Sequence, residues 1–486
     1  MKGFGDRKKS KKKKIKYENK NSSYDQLISK AFQLQAQGKK LEAAKYYSYL
    51  IKNGLKDYRV FSNYGAFLRE IGKYQEAELE LNKAIELNPR CANSLYNLAS
   101  LFIIKGNLLK GEIYLRKAIE FKSDFASAHY NLGFILKNLG KLEEAKLYFQ
   151  KTIEIDPNLT EPYLSLSTMK GTEKDSIWEN QLFSEGFLNN KNNKELVNIL
   201  FARSNILHKK RKFKENAENL VRANNLKLSM YKSTAKLLIK KTNKLKISSK
   251  NFQRNFQEYP NYPINIFIVG LPRCGSTLVE SIISMNSQVN DLGEVNIFEE
   301  SYRQFIQSDK KETLAEIYKK KSPKNNIKLT ITTNKWLFNY QYAGIIAKTI
   351  PNAKIIHCYR NPLDNILSIY RAHFSTGNTF SSSLVDCAQL YIDQEEIMEI
   401  YKKESKSCIY DLNYDELVAN PIKEIKSLIN WLQWEWNDNY LSPHLNKRSV
   451  FTRSNVEIRS PINSKSLGGW KNYKDMLKPA MEIITK

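Results

Sequence analysis

Residues 264–283 read INIFIVGLPRCGSTLVESII, and this stretch determines how the second half of the chain folds. The opening run of β-branched and aromatic residues is typical of a buried strand. A loop bounded by Gly270 and Gly275 follows, and an apolar run with helical spacing comes next. In this order the free N–H groups and the dipole of the helix start face the loop. The stretch therefore predicts an anion-binding site.

The loop differs from a nucleotide-binding P-loop at one position. Its glycines have the GxxxxG spacing, but Gly275 is followed directly by Ser276, so the lysine that contacts β- and γ-phosphates is missing. The positive charge of the loop is Arg273, and Thr277 adds a second hydroxyl donor. This pattern disfavours a kinase or NTPase of the usual type, an alternative that predicts magnesium-dependent ATP turnover.

A second anion motif lies further along the chain, in AKIIHCYRNPLDNILSIY at residues 353–370. The pattern predicts a strand, then Arg360, then a helix that carries Ser368 eight residues later. An arginine fork presents two parallel donors to a phosphate, and a serine on a nearby helical face supplies a third. We expect Arg360 and Ser368 to bind a second phosphate group.

The glycine loop VGLPRCGSTLVE resembles the 5′-phosphosulfate loop of sulfotransferases, in the form found in the tyrosylprotein and heparan types. The resemblance covers residues 261–475 and implies a P-loop-like α/β fold with a parallel sheet. It also implies transfer of a sulfuryl group from 3′-phosphoadenosine 5′-phosphosulfate to a hydroxyl, with protein tyrosine as one candidate acceptor. The implied donor contacts are Arg273, Cys274, Gly275, Ser276 and Thr277 in the loop, and Arg360 and Ser368 at the 3′-phosphate.

Sulfuryl transfer needs a base for the acceptor hydroxyl and cations where charge develops. Glu294, in NDLGEVNIF, lies 21 residues after Arg273 and resembles the Gly-Glu of tyrosylprotein sulfotransferases, where the glutamate is the general base. Lys335, in TITTNKWLFNY, resembles the family's Asn-Lys, whose ammonium assists at the leaving oxygen. We predict that Glu294, Arg273 and Lys335 are catalytic and that no metal is needed.

Two later segments resemble further donor contacts of the family. IYDLNYDELVANP resembles a strand that ends in a nucleotide-contacting tyrosine, here Tyr414. LGGWKNY resembles the segment that closes over the 3′-phosphate in cytosolic sulfotransferases, which suggests Ser466 and Lys471 as contacts. The arginine that opens that segment in the family is replaced by Ser464, and Arg459 stands where related bacterial proteins carry an arginine.

The first half of the chain is a repeat with a period of 34 residues. Small residues recur seven positions before and five positions after each of the periodic glycines Gly38, Gly72, Gly106 and Gly140. This pattern predicts two antiparallel helices per unit, with small residues where the helices cross. The units resemble tetratricopeptide repeats over residues 24–168, which implies a helical solenoid whose concave face binds a protein or peptide.

These motifs divide the chain into four regions. The region between the repeats and the second half is either a degenerate further repeat or a connecting helical region. The predicted regions are a basic disordered tail at 1–23, the repeats at 24–168, the helical connection at 169–260 and the sulfotransferase domain at 261–486.

Composition limits the partners and the compartment. The 486 residues hold 78 Lys+Arg and 50 Asp+Glu, a net charge of +28, and the first twenty residues alone contain ten Lys and Arg. We interpret the rest as a lysine-rich surface, so a nucleic-acid partner is not expected. Five scattered cysteines without a CxxC pair favour a reducing compartment. No apolar run of about 18 residues predicts a membrane span, so we expect a cytoplasmic protein.

A different class of function is an interaction scaffold whose C-terminal domain has lost catalysis while the repeats hold a partner. Every proposed catalytic residue type is retained, which favours the enzyme. The two hypotheses differ in one respect that is easily measured, because a decayed pocket does not bind 3′-phosphoadenosine 5′-phosphate.

Overall fold

The computed structural model describes residues 24–171, 176–253, 263–309, 311–322, 331–374, 377–446, 448 and 455–485. The basic tail predicted at residues 1–23 lies outside these ranges. The chain divides into two compact units, residues 1–135 and 136–486.

The described part of the first unit is entirely helical, with short turns between consecutive helices. Its helices are α1 Tyr24–Ala36, α2 Lys40–Lys52, α3 Tyr58–Glu70, α4 Tyr74–Leu87, α5 Ala92–Ile104, α6 Leu108–Phe121 and α7 Ala126–Asn138, whose last three residues belong to the second unit. Helices pack closely at small residues, since a Cβ added at Gly65 would lie 2.6 Å from the Leu81 side chain. At Gly111 the added Cβ would lie 2.9 Å from Ile135.

The periodic glycines have a different role from these crossing residues. Gly38, Gly72 and Gly106 have φ between 75° and 80°, and a Cβ at any of them would meet nothing within 4 Å. They follow the ends of α1, α3 and α5, where a left-handed residue terminates a helix at low cost only if it is glycine. Backbone conformation explains the periodic glycines, whereas close helix approach explains the flanking small residues Gly65 and Gly111.

The second unit begins with helices and continues into a mixed region of helices and strands. Its helices after α7 are α8 Leu142–Ile155, α9 Glu161–Ser167, α10 Ser176–Phe183, α11 Asn193–Lys209, α12 Phe213–Met230, α13 Ala235–Ser249, α14 Ser276–Ile283, α15 Ile297–Gln307, α16 Leu314–Lys321, α17 Ala343–Thr349, α18 Pro362–Arg371, α19 Leu384–Glu404, α20 Tyr414–Ala419, α21 Pro421–Leu432 and α22 Lys474–Ile484. Short 3₁₀ turns occur at Leu337–Tyr342, Glu457–Arg459 and Gly469–Tyr473, among others.

The strands of this unit form one parallel sheet. They are β1 Ile264–Val269, β2 Val289–Asp291, β3 Ile331–Asn334, β4 Ala353–Tyr359 and β5 Ile409–Asn413, in the order β2-β3-β1-β4-β5. Ile266 pairs with Thr333 on one side and with Lys354 on the other. The predicted architecture, helical repeats followed by an α/β domain with a parallel sheet, is confirmed.

Both faces of the sheet are buried, which is why β1 is an almost continuous apolar run. Phe267 and Val269 belong to a core that also includes residues of α11, α12 and α13, such as Phe201 and Leu220. Ile266 and the other residues of β1 that face the opposite side pack with α14 and α21. The helices of the predicted connecting region therefore share a core with the sheet, while the boundary at residue 260 stays a prediction.

Candidate active site

Each strand is followed, within four residues of its end, by a residue that the sequence analysis proposed for the site. Because the strands are parallel, these residues gather at one edge of the sheet. Ligands of open α/β sheets bind outside the carboxyl ends of the strands, where the strand order reverses. Here β1 is central, with β3 on one side and β4 on the other. In the order β1 to β5, the residues are Arg273, Glu294, Lys335, Arg360 and Tyr414.

The glycine loop has no room for side chains at two positions. A Cβ at Gly270 would lie 2.4 Å from the carbonyl oxygen of Cys358, on β4. Gly275 has φ 96°, and a Cβ there would lie 2.2 Å from the ring of Tyr414. Both glycines let the backbone approach its neighbours closely, and α14 begins at the next residue, Ser276. The loop thus leads directly into a helix start, the kind of backbone at which anions bind.

The other loop residues differ in their accessibility. Ser276 and Thr277 are buried in the first turn of α14. The Cys274 side chain is buried in the core beneath the loop, so only its backbone can contact a donor. Burial raises the pKa of the neighbouring Cys358 thiol well above its usual value. Arg273 has a left-handed φ of 68°, which is uncommon for a residue with a side chain.

Lys335 and Glu294 form a direct ion pair. The Lys335 ammonium is 2.7 Å from a carboxylate oxygen of Glu294 and 3.8 Å from one of Glu280. The Lys335 side chain is 1% exposed, whereas that of Glu294 is 46% exposed. The structure thus brings together the predicted base and the predicted leaving-group cation, with the base on the solvent side.

Arg273 contacts a serine and a carboxylate. Its Nε donates a hydrogen bond to Ser368 Oγ at 3.1 Å, and its Nη2 lies 2.8 Å from each carboxylate oxygen of Glu457. Ser368 is therefore placed beside the arginine of the glycine loop. From the sequence we expected Ser368 to act with Arg360, and that pairing stays a prediction.

Arg360 is held among aromatic, hydroxyl and acidic groups. Its guanidinium lies 4.8 Å from the centre of the Tyr414 ring, and its Nη2 donates to the carbonyl oxygen of Ser466 at 3.1 Å. A carboxylate oxygen of Asp364 lies 4.0 Å from Nη2, and one of Asp415 lies 3.7 Å from Nε. The buried Nε of Arg360 has no hydrogen-bond partner within the described chain. A guanidinium with an unused donor is suited to an incoming phosphate.

The C-terminal segment reaches this end of the site through Ser466. The hydroxyls of Ser466 and Tyr414 are 3.3 Å apart. Asp364 accepts hydrogen bonds from the backbone N–H groups of Gly468 and Trp470, which ties the segment to α18. The predicted contact Lys471 is exposed, and its stem lies near Gly468.

Sequence reasoning missed three charged residues of this region, Glu280, Arg448 and Glu457. Arg448 Nη1 lies 2.8 Å from Glu280 and 2.5 Å from Asp291. Burial lowers the pKa of the Arg448 guanidinium, but the carboxylates of Glu280 and Asp291 outweigh this and raise it. An acidic residue within the apolar run of α14 could have identified Glu280 from the sequence. No local pattern identifies Arg448 or Glu457.

Within the described ranges, no group of three or more His, Cys, Asp and Glu side chains is arranged to hold a metal ion. The same ranges contain no helix with the length and apolar character required to cross a bilayer.

Models of known protein families match both the N-terminal and the C-terminal part of the chain. Residues 263–438 match the model of the sulfotransferase family. Residues 58–91, 92–125 and 126–159 match models of the tetratricopeptide repeat.

Two relatives match only in part. An uncharacterized protein of Aquifex aeolicus (strain VF5) is 30% identical over 243 residues, which cover 45% of this chain and 32% of that protein. Protein-tyrosine sulfotransferase 1 of Danio rerio is 24% identical over 235 residues, which cover 42% of this chain and 65% of the relative. The chain thus spans about a third of the first relative and just under two thirds of the second.

Two solved structures match part of this chain. PilF of Pseudomonas aeruginosa is 16% identical, with a TM-score of 0.35 over 42% of this chain and 91% of its own. YrrB, described as a TPR protein with an unusual peptide-binding site, is 19% identical, with a TM-score of 0.29 over 39% of this chain and 92% of its own. From the family matches, the chain carries tetratricopeptide repeats in its N-terminal part and a sulfotransferase-family domain in its C-terminal part.

Proposed function

We propose that this protein transfers a sulfuryl group from 3′-phosphoadenosine 5′-phosphosulfate to a hydroxyl acceptor. The observation that supports it most is the placement of Arg273, Glu294, Lys335, Arg360 and Tyr414 at the carboxyl ends of five parallel strands. The site thus has cations for the two anionic ends of one donor. It also has an accessible carboxylate, Glu294, which follows the edge strand β2 and pairs with Lys335.

In this proposal the two ends of the donor bind to different groups. The glycine loop, with Gly275, Ser276 and Thr277, binds the 5′-phosphosulfate through backbone amides and hydroxyls. Arg360 binds the 3′-phosphate with its Nε, which makes no hydrogen bond within the described residues, and Tyr414 packs against the nucleotide. Ser368, Ser466 and Lys471 are further proposed donor contacts.

The transfer step uses three side chains. Glu294 accepts the proton of the acceptor hydroxyl as its oxygen attacks sulfur, and the bond between sulfur and the phosphate oxygen breaks. The ammonium of Lys335 stabilises the negative charge on that leaving oxygen, and Arg273 stabilises the sulfuryl oxygens. The products are the sulfated acceptor and 3′-phosphoadenosine 5′-phosphate, and no step requires a metal.

The acceptor and the partner of the repeats are also proposals. Matching to a protein-tyrosine sulfotransferase supports a protein tyrosine as acceptor, and the tetratricopeptide repeats support a protein or peptide partner, which in this proposal binds on their concave face. The cytoplasmic location expected from the scattered cysteines belongs with these proposals.

A labelling experiment tests the activity whatever the acceptor is. The purified full chain is incubated with ³⁵S-labelled donor and a cell lysate, with and without EDTA, and labelled products are identified. We expect chain-dependent label transfer that survives EDTA, together with calorimetric binding of 3′-phosphoadenosine 5′-phosphate. Absence of both transfer and binding would favour the inactive scaffold, and magnesium-dependent ATP turnover would favour a kinase.

A further inference from the structure

A buried cluster of charges lies directly behind Lys335. Glu280, on α14, is 2% exposed and has one carboxylate oxygen 3.8 Å from the Lys335 ammonium. The same oxygen is 2.8 Å from Arg448 Nη1. The carboxylate of Glu280 therefore lies between two cations, away from solvent.

This placement requires an explanation because a buried charge is costly unless it is paired. The neighbours of Glu280 on α14 include the core residues Val279, Ile282 and Ile283, so the carboxylate stands among apolar side chains of the same helix. The second carboxylate oxygen of Glu280 is buried and has no hydrogen-bond partner within the described residues. The carboxylate is thus held in a buried position by its two cations, with one oxygen that makes no hydrogen bond.

Lys335 has two carboxylate neighbours that differ in what they can do. Glu294 is closer and 46% exposed, so it can reach an acceptor, whereas Glu280 is enclosed. If Glu294 takes the acceptor proton, it becomes neutral during the transfer step. At that moment Glu280 is the negative group still next to Lys335 in the described site.

We propose that Glu280 is a positioning residue that acts through Lys335. It serves as a fixed counter-ion that holds the ammonium toward the leaving oxygen while Glu294 changes charge. This inference rests on the proposed function, since it assigns a role within the sulfuryl-transfer step.

Arg448 holds Glu280 in turn. Besides its ion pairs with Glu280 and Asp291, its Nη2 donates to Ser281 Oγ at 3.0 Å and to the carbonyl oxygen of Thr277 at 3.4 Å. Arg459 donates to the carbonyl oxygen of Arg448 and so fixes the backbone there. The cluster connects the first turns of α14 to the end of β2, three residues before Glu294.

A double-mutant cycle tests the role of Glu280. Glu280→Gln, Lys335→Met and the double variant are compared in initial rates of ³⁵S transfer into the same lysate at saturating donor. We expect Glu280→Gln to lower the apparent kcat by roughly 10- to 100-fold, because small misplacements of catalytic groups have effects of this size. The KM for the donor should change less than about threefold. In the Lys335→Met background, Glu280→Gln should have little further effect.

Glu299→Gln is the matched control. Glu299, on α15, is another buried carboxylate, and it lies between the cations of Lys241 and Arg303. We expect this variant to lower the melting temperature as Glu280→Gln does, while the apparent kcat stays within about twofold of the wild type. If Glu280→Gln does not fold, Glu280→Gln combined with Arg448→Gln removes both buried charges, and we expect the same loss of kcat.

The outcomes separate this inference from the proposed function. If Lys335→Met loses turnover while Glu280→Gln keeps it, the positioning role is overturned and the proposed function stands. The role is also overturned if the effects of Glu280→Gln and Lys335→Met multiply, because independent losses indicate a merely structural contribution. A wild-type chain that neither transfers label nor binds 3′-phosphoadenosine 5′-phosphate would overturn both.

Discussion

The two ends of the candidate site hold their arginines in different ways. Arg273 projects from a glycine loop with a left-handed backbone, and its guanidinium is matched by the exposed carboxylate of Glu457. Arg360 is buried beneath the Tyr414 ring, and its Nε makes no hydrogen bond within the described residues, although an Asp415 oxygen lies 3.7 Å from it. At the first end, the carboxylate of Glu457 takes the position at the guanidinium that an anion would occupy. The second end is preformed for an anion, because the protein already holds the guanidinium of Arg360 in place. We therefore expect substitutions at the two ends to differ in how they change turnover and donor affinity.

The largest expected effect belongs to the base. Glu294→Gln should lower turnover by about 10²- to 10⁴-fold, because the acceptor proton loses its carboxylate. Binding of 3′-phosphoadenosine 5′-phosphate, measured by calorimetry, should be unchanged. Glu300→Gln, at an exposed position on α15, is the control and should behave as the wild type. Full activity of Glu294→Gln would remove the base assignment.

The next effect concerns the preformed end. Arg360→Met should weaken the binding of 3′-phosphoadenosine 5′-phosphate by about 10- to 100-fold, the range typical of a hydrogen bond to a charged group. Calorimetry measures the affinity, and thermal unfolding checks that the buried position tolerates the change. Arg303→Met, which removes an exposed guanidinium on α15, should leave the affinity unchanged. Equal affinity in both variants would show that the 3′-phosphate does not contact Arg360.

A smaller effect of opposite sign is expected at the other arginine. Glu457→Gln removes the carboxylate that competes with an anionic donor for Arg273, so donor-product affinity should rise. An exposed ion pair is weak, so the gain should be about two- to fivefold, and it should shrink at high salt. Glu435→Gln, at another exposed position, is the charge-matched control. Weaker binding in Glu457→Gln would mean that Glu457 supports the site.

The smallest effect is expected for the tyrosine hydroxyl. Tyr414→Phe removes only the contact with Ser466 at 3.3 Å and keeps the ring over Arg360. Donor-product affinity should fall less than about threefold, since a neutral hydrogen bond contributes little net free energy. Tyr414→Ala, which also removes the ring, should have a clearly larger effect in the same calorimetric titration. Equal losses in the two variants would assign the contribution to the hydroxyl.

The repeats and the strand-end residues could be predicted because their signals are local. A period of 34 residues and a strand followed by a glycine loop are visible in a few dozen letters. Lys335 and Arg360 directly follow short β-like runs, and a parallel sheet necessarily brings such positions to one edge. The period of the glycines is visible in the sequence, but their positive φ values, which the turns require, could be known only from the structure.

The partners of the charged residues could not be predicted, because they depend on packing between distant segments. Arg448 contacts Ser281, from which it is separated by 167 positions. Among 78 Lys and Arg residues, no local pattern distinguishes the one that will be buried beside α14. Glu457 is equally inconspicuous, since its role depends on the orientation of Arg273 in the folded loop.

One short C-terminal stretch contributes to both ends of the site. Glu457 meets Arg273 and, nine positions later, Ser466 meets Arg360. The segment from Glu457 to Ser466 therefore connects the two ends of the site through its main chain. Displacing this segment at either contact should change donor affinity and turnover together, even though the residues at the strand ends keep their positions.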